Sequence, residues 1–200
     1  VEPLGLLWSM KAVSDKKIKR PEKDNFVVRV YSATKQKADS EEAGQILASG
    51  VIQLISKLES VKETQLSDDS ELEGAFVMQQ PSEKPLPVII VLGGSEGGDS
   101  AARALAPGLA SRGFAVVGLP YYSPPYGRGK RFPKLPSSFT EIALDRVEKI
   151  LKILEENPSL NAKRVGLYGV SKGGEFALVL SSRLHRFKAV VAIVPSDVIW

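Results

Sequence analysis

Four short apolar runs rich in β-branched residues dominate the chain from about Ser82 onward: "LPVIIVLGG", "FAVVGLP", "RVGLYGV" and "FKAVVAIVP". A continuous apolar run bounded by glycine or proline reads as a strand buried on both faces, because a half-exposed strand would alternate with polar residues. Helical stretches separate the runs, so strand and helix alternate along the sequence. That alternation implies right-handed crossovers and an α/β fold, a parallel sheet covered by helices on both faces.

The first helical stretch spans about Ser100 to Arg112 and ends at Gly113, which suits a left-handed cap. Pro107 and Gly108 are expected to kink or shorten it. Ser138 and Glu141 have the spacing of a capping box and are expected to open the second helix. Its Ala143, Val147, Ile150, Leu151 and Leu154 recur every three or four residues, and Asn157 and Pro158 stop it. "SKGGEFALVLSSRL" is the third.

The first 80 residues are less periodic. "GLLWSM" and "NFVVRVYS" read as strands with a basic loop between them, and "ELEGAFVMQQ" as a hairpin arm leading into the sheet. "EEAGQILASGVIQLISKLES" fits either a helix or a loop followed by a strand. The expected boundary divides residues 1–35 from residues 36–200.

Composition narrows the function classes. The chain of 200 residues is 43% hydrophobic and 25% charged, ordinary globular values that exclude a disordered or fibrous protein. The net charge of +4 is spread out, and "SDKKIKRPEKDN" reads as a solvated loop, so no nucleic-acid partner is expected. Cysteine is absent, which excludes disulfides, thiolate metal sites and a cysteine nucleophile. No apolar run reaches the roughly 18 residues of a membrane span, and no signal-peptide pattern begins the chain. A soluble, cytoplasmic protein without a metal or cofactor is the expectation.

The chemistry concentrates in "LYGVSKGGEFAL". Gly169, Ser171 and Gly173 form G-x-S-x-G at a strand-to-helix junction, the setting in which this motif carries a nucleophile. The turn is so sharp that side chains at the two glycine positions would strike neighbouring backbone. Ser171 is expected in strained geometry above the sheet, with the helix N-terminus favouring negative charge nearby. The bland alternative is a tight turn with an incidental serine. "LGGSEGG" closes the first parallel strand and lacks both the P-loop lysine and dinucleotide-binding spacing, while Glu96 would repel a phosphate. An oxyanion hole fits better, from the backbone N–H of Ser95 (Glu96 as second choice) and that of Lys172. Plain turn glycines are the alternative there.

Taken together, "GLLWSM", "LGGSEGG", "RGFAVVGLPYY" and "VGLYGVSKGGEFAL" resemble the acyl-CoA thioesterase and bile-acid-CoA:amino-acid N-acyltransferase family. The resemblance implies an immunoglobulin-like β-sandwich followed by an α/β-hydrolase domain. Residues 1–35 would be the C-terminal remnant of the sandwich and residues 36–200 the N-terminal part of the hydrolase domain. It also implies an acyl-CoA thioester substrate and an acyl-enzyme intermediate. Amidating members of the family use cysteine as nucleophile, so Ser171 favours hydrolysis to a free acid and CoA. Glu96, Tyr122, Arg128 and Arg131 are candidate substrate-binding residues, the two arginines toward CoA phosphates. A solvated basic loop is the plainer reading of the arginines.

A serine nucleophile needs a general base oriented by an acid. The one histidine, His185, falls at the far end of the helix that Ser171 opens, roughly 20 Å away at 1.5 Å per residue. It is expected at the surface. Asp197 is a weak candidate for the acid. The expectation is that acid and histidine lie beyond Trp200, that the fragment alone is nearly inactive, and that it associates through its last apolar strand. A dienelactone-hydrolase-like or peptidase-like serine hydrolase, or a non-catalytic module of this fold, are the other readings.

Overall fold

A computed structural model describes residues 23–31, 45–66, 72–126 and 132–196. "GLLWSM", Arg128, Arg131, Asp197 and Trp200 lie outside the described residues. The chain forms two compact units, residues 1–55 and 56–200.

In the first unit β1 (Lys23–Tyr31) pairs antiparallel with β2 (Ile46–Ile55), Val27 opposite Val51. The helix alternative for residues 41–60 therefore fails. Ile46, Val51, Ile52 and Ile55 are β-branched and Gly50 interrupts the segment, so a ladder suits it better than a helical turn. The expected boundary near residue 35 falls between two strands that pair with each other, and the compact units part after Ile55 instead.

The second unit holds a six-stranded sheet in the order β3-β4-β6-β5-β7-β8. Strands β5 (Leu86–Leu92), β6 (Ala115–Gly118), β7 (Leu160–Val170) and β8 (Ala189–Ile193) are the four apolar runs and are mutually parallel. β3 (Lys62–Gln65) and β4 (Phe76–Gln79) extend the sheet antiparallel beyond β6, so the expected hairpin arm is present.

The alternation of β5 side chains explains why its sequence is apolar throughout. Val88, Ile90 and Leu92 enter one core with Val147, Ile150, Leu154, Phe176 and Leu180. Ile89 and Val91 enter the other, with Ala102, Ala106 and Ala110. α1 (Ser100–Ala110) thus covers one face, and α2 (Asp145–Glu156) and α3 (Lys172–Leu184) cover the opposite one. Small alanines on α1 let that helix approach the sheet closely. It runs through Pro107, and Gly113 takes the left-handed φ of +87° expected of it.

One helix start differs from expectation. α2 begins at Asp145, not Ser138, whose hydroxyl lies 2.8 Å from that of Thr140. Glu141 has φ +53°, which no right-handed helix accommodates. The chain instead bends there and packs Phe139, Ile142 and Leu144 on the core. Burial of those side chains outweighs the local capping signal.

Candidate active site

Strand order places the site. From β5 the chain passes through α1 to β6 on one side, whereas α3 leads from β7 to β8 on the other. The crevice beyond the carboxyl ends of β5 and β7 is therefore a topological switch point, where open α/β sheets bind ligands. The two singled-out segments, residues 92–98 and the turn at Ser171, meet there.

Ser171 stands between the last residue of β7 and the first of α3 with φ 53° and ψ −120°. A non-glycine residue pays steric energy to hold that conformation, so it must be fixed by its surroundings. Its N–H donates to the Ile193 carbonyl at 2.8 Å, tying the turn to β8. Its carbonyl accepts from Gly174 and Glu175, starting the helix. Both flanking glycines are required by close approach. A Cβ on Gly169 would lie 2.1 Å from the Gly173 oxygen, and one on Gly173 would lie 2.3 Å from the Leu92 oxygen. The strained serine and the crowded glycines expected from the sequence are both present.

Gly94 brings the other segment against the serine: a Cβ there would stand 3.2 Å from Ser171 Cβ and 2.8 Å from Glu96 Oε2. Gly94 to Gly97 forms a turn, with the Gly97 N–H on the Gly94 carbonyl at 3.1 Å. Glu96 folds its carboxylate back onto the Gly94 N–H, Oε1 at 2.9 Å. The N–H of Ser95 has no hydrogen-bond partner among the described residues. Lys172 is the first residue of α3, where backbone N–H groups have no intrahelical acceptor. Among the described residues, two backbone donors are therefore without an acceptor, one next to Ser171 and one next to the glycine that packs on it.

Tyr122 does not face solvent. Its ring is 1% exposed and its hydroxyl donates to the Gly94 carbonyl at 3.0 Å, which leaves the side chain no surface for a substrate. Tyr121 is buried beside it and donates to the Gly93 carbonyl at 2.6 Å. Burial raises both phenols far above the ordinary tyrosine range, so both remain donors.

The sequence reading overlooked Glu175. It is 5% exposed and paired with Lys172 Nζ at 2.9 Å, and that ammonium also lies 5.4 Å from the centre of the Phe139 ring. The available signal was K-x-x-E at one-turn spacing in the first turn of the helix. Phe139, Glu175, Phe176 and Val179 line a cavity of about 150 Å³ on this side of the sheet. A larger cavity, about 770 Å³, lies around Asn161, Lys163 and His185, at the opposite ends of β7 and α3. His185 is the exposed left-handed cap of α3, as expected, and is far from Ser171. No described helix is long and apolar enough to cross a membrane.

Residues 142–200 match the family described as BAAT / Acyl-CoA thioester hydrolase C terminal. Over 195 residues, 96% of this chain, the sequence is 31% identical to acyl-coenzyme A thioesterase 2, mitochondrial, of Mus musculus. The chain is similar to acyl-CoA thioesterases along nearly its whole length. It is also 30% identical to acyl-coenzyme A thioesterase 1 of Mus musculus over 96% of its length. The chain spans 40% of the first relative and 43% of the second. Among solved structures, a dienelactone-hydrolase-type protein of Klebsiella pneumoniae superimposes with a TM-score of 0.55 at 18% identity, covering 70% of this chain and 61% of that one. A dienelactone hydrolase-like phosphotriesterase from metagenomic libraries gives 0.51 at 16% identity, covering 68% and 60%. At such identities the likeness is one of fold, the α/β-hydrolase fold.

Proposed function

We propose that this chain carries the nucleophile and oxyanion hole of a cytoplasmic serine hydrolase that cleaves acyl-CoA thioesters. The observation that supports this most directly is Ser171 at φ 53° between β7 and α3, with Gly94 against it. In this reading Ser171 Oγ attacks the thioester carbonyl as its proton passes to a general base. The Ser95 and Lys172 N–H groups hold the oxyanion that forms. Collapse expels CoA thiolate, which takes up a proton, and leaves an acyl ester on Ser171. Water then attacks that ester and releases the free acid. The described residues place no histidine near Ser171, so the base and its acid are assigned to parts of the whole protein outside them.

Three further assignments belong to this reading. Residues 1–35 are taken as belonging to the end of a β-sandwich, extended here to the unit of residues 1–55 in which β1 pairs antiparallel with β2. Arg128 and Arg131 are taken as holding CoA phosphates. β8 is taken as a strand through which the isolated chain self-associates. Replacing both arginines with alanine in the full-length protein should raise KM for an acyl-CoA and leave KM for a small ester unchanged; equal effects would remove the assignment.

The central test is a fluorophosphonate serine probe on the full-length protein, with the labelled residue mapped by mass spectrometry. Labelling at Ser171, lost in Ser171→Ala together with acyl-CoA turnover, is the expected result. Turnover that survives Ser171→Ala would make the turn structural and place the chemistry elsewhere, whereas no labelling and no turnover in the full-length protein would leave a binding-module reading.

A further inference from the structure

The two tyrosines behind the glycine loop do different things to it. A trans peptide is planar, so its C=O and N–H point in opposite directions and holding one aims the other; no cis bond occurs among the described residues. Tyr121 holds the Gly93 carbonyl, and the N–H of that same peptide, on Gly94, is occupied by the Glu96 carboxylate. Tyr122 holds the Gly94 carbonyl, and the N–H of that peptide belongs to Ser95, which has no acceptor among the described residues. Because Tyr122 is buried, the Ser95 N–H is turned away from the core, out of a residue adjacent to the glycine that packs on Ser171. A hydrogen bond to the carbonyl also polarises the peptide and strengthens its N–H as a donor.

We infer that Tyr122 is a positioning residue for the oxyanion hole, its hydroxyl aiming the Ser95 N–H at the charge that develops on the thioester oxygen. The inference rests on the reading of Ser95 as an oxyanion donor given above. Tyr121, which holds the neighbouring peptide with its N–H already taken, does not have this role.

Two features make the test clean. The Gly94 carbonyl also accepts from Gly97, so the turn keeps one anchor when the Tyr122 hydroxyl is removed, and Tyr122→Phe retains the buried ring. Ser95 is the second residue of that turn, a position where proline is favoured, so Ser95→Pro deletes the donor and suits the turn.

Steady-state kinetics on an acyl-CoA would be measured for the full-length protein and for Tyr122→Phe, Tyr121→Phe, Ser95→Pro and the Ser95→Pro/Tyr122→Phe double variant, with melting curves to confirm folding. Removing an oxyanion donor costs on the order of 100-fold in kcat, the loss expected for Ser95→Pro. Misaiming the donor should cost less, about 10-fold in kcat for Tyr122→Phe with KM within about 2-fold. Tyr121→Phe should lose clearly less than Tyr122→Phe. In the Ser95→Pro background Tyr122→Phe should cost nothing more, since the N–H it acts through is gone. Full kcat in Tyr122→Phe, or the same loss with and without Ser95→Pro, would reduce the tyrosine to packing and leave the oxyanion hole standing. Full kcat in Ser95→Pro would overturn the oxyanion assignment of Ser95 and the tyrosine role with it.

Discussion

At Gly173 the nucleophile turn has no room for a single added carbon. A Cβ there meets the Leu92 and Gly93 carbonyl oxygens at 2.3 and 2.4 Å, both backbone atoms that cannot rotate away. Gly173→Ala should destabilise the fold by about 1–3 kcal/mol, read by urea denaturation, and slow fluorophosphonate labelling of Ser171. Wild-type stability would mean the turn is looser than its geometry. The tyrosines carry a pH signature at the same scale. Burial raises the Tyr121 and Tyr122 phenols, whereas an unfolded tyrosine ionises near pH 10. Above about pH 10 the unfolded chain gives up protons that the folded chain keeps, so stability is full below that pH and falls as pH rises, by about 1.4 kcal/mol per pH unit for each tyrosine. Tyr121→Phe should flatten the slope of denaturation free energy between about pH 10 and 11; an unchanged slope would contradict the assignment. The serine and Gly169 were legible in the sequence because backbone sterics within a tight turn are a local matter, whereas Gly173 is crowded by carbonyls of another strand and was legible only through the motif it completes. The duties of the tyrosines were not, since each hydroxyl bonds a residue 28 positions away.

Among the elements, α2 separates local signal from tertiary burial. Val147, Ile150, Leu151 and Leu154 form its buried stripe, as the spacing indicated, while the capping box at Ser138 and Glu141 caps nothing. Leu154→Ala should cost about 2–5 kcal/mol and Ser138→Ala less than about 0.5, measured side by side by thermal or urea unfolding. A loss of about 1 kcal/mol or more at Ser138 would show that the box does cap a helix in solution. Phe139 explains the outcome: its ring packs edge-on against Tyr121 and Tyr122, with centroids 5.7 and 5.4 Å away, which the chain reaches by bending at Glu141. The β-branched segment Ile46–Ile55 makes the related point that a run readable two ways is decided by the strand it finds to pair with.

For the whole molecule, β8 ends the described sheet with Val190, Val191 and Ile193 exposed at 36%, 42% and 40%. Open ladder groups beside apolar side chains template pairing with another chain. The 200-residue chain should therefore sediment with concentration-dependent mass, and Val191→Lys should shift it toward monomer. A monomer at every concentration would remove the self-association proposal.

By itself the sequence determined that a parallel sheet forms, which runs build it and where a strained serine interrupts it. Those features follow from side-chain periodicity and backbone sterics, which act over a few residues. Only the tertiary structure decided that β3 pairs with β4 at the edge of the sheet, that α2 starts seven residues after Ser138, and that Glu175 is buried against Lys172. It also decided that Tyr122 lies behind the oxyanion loop instead of in front of it. Each depends on groups distant in sequence or on what the folded core excludes from water, and no local pattern records either.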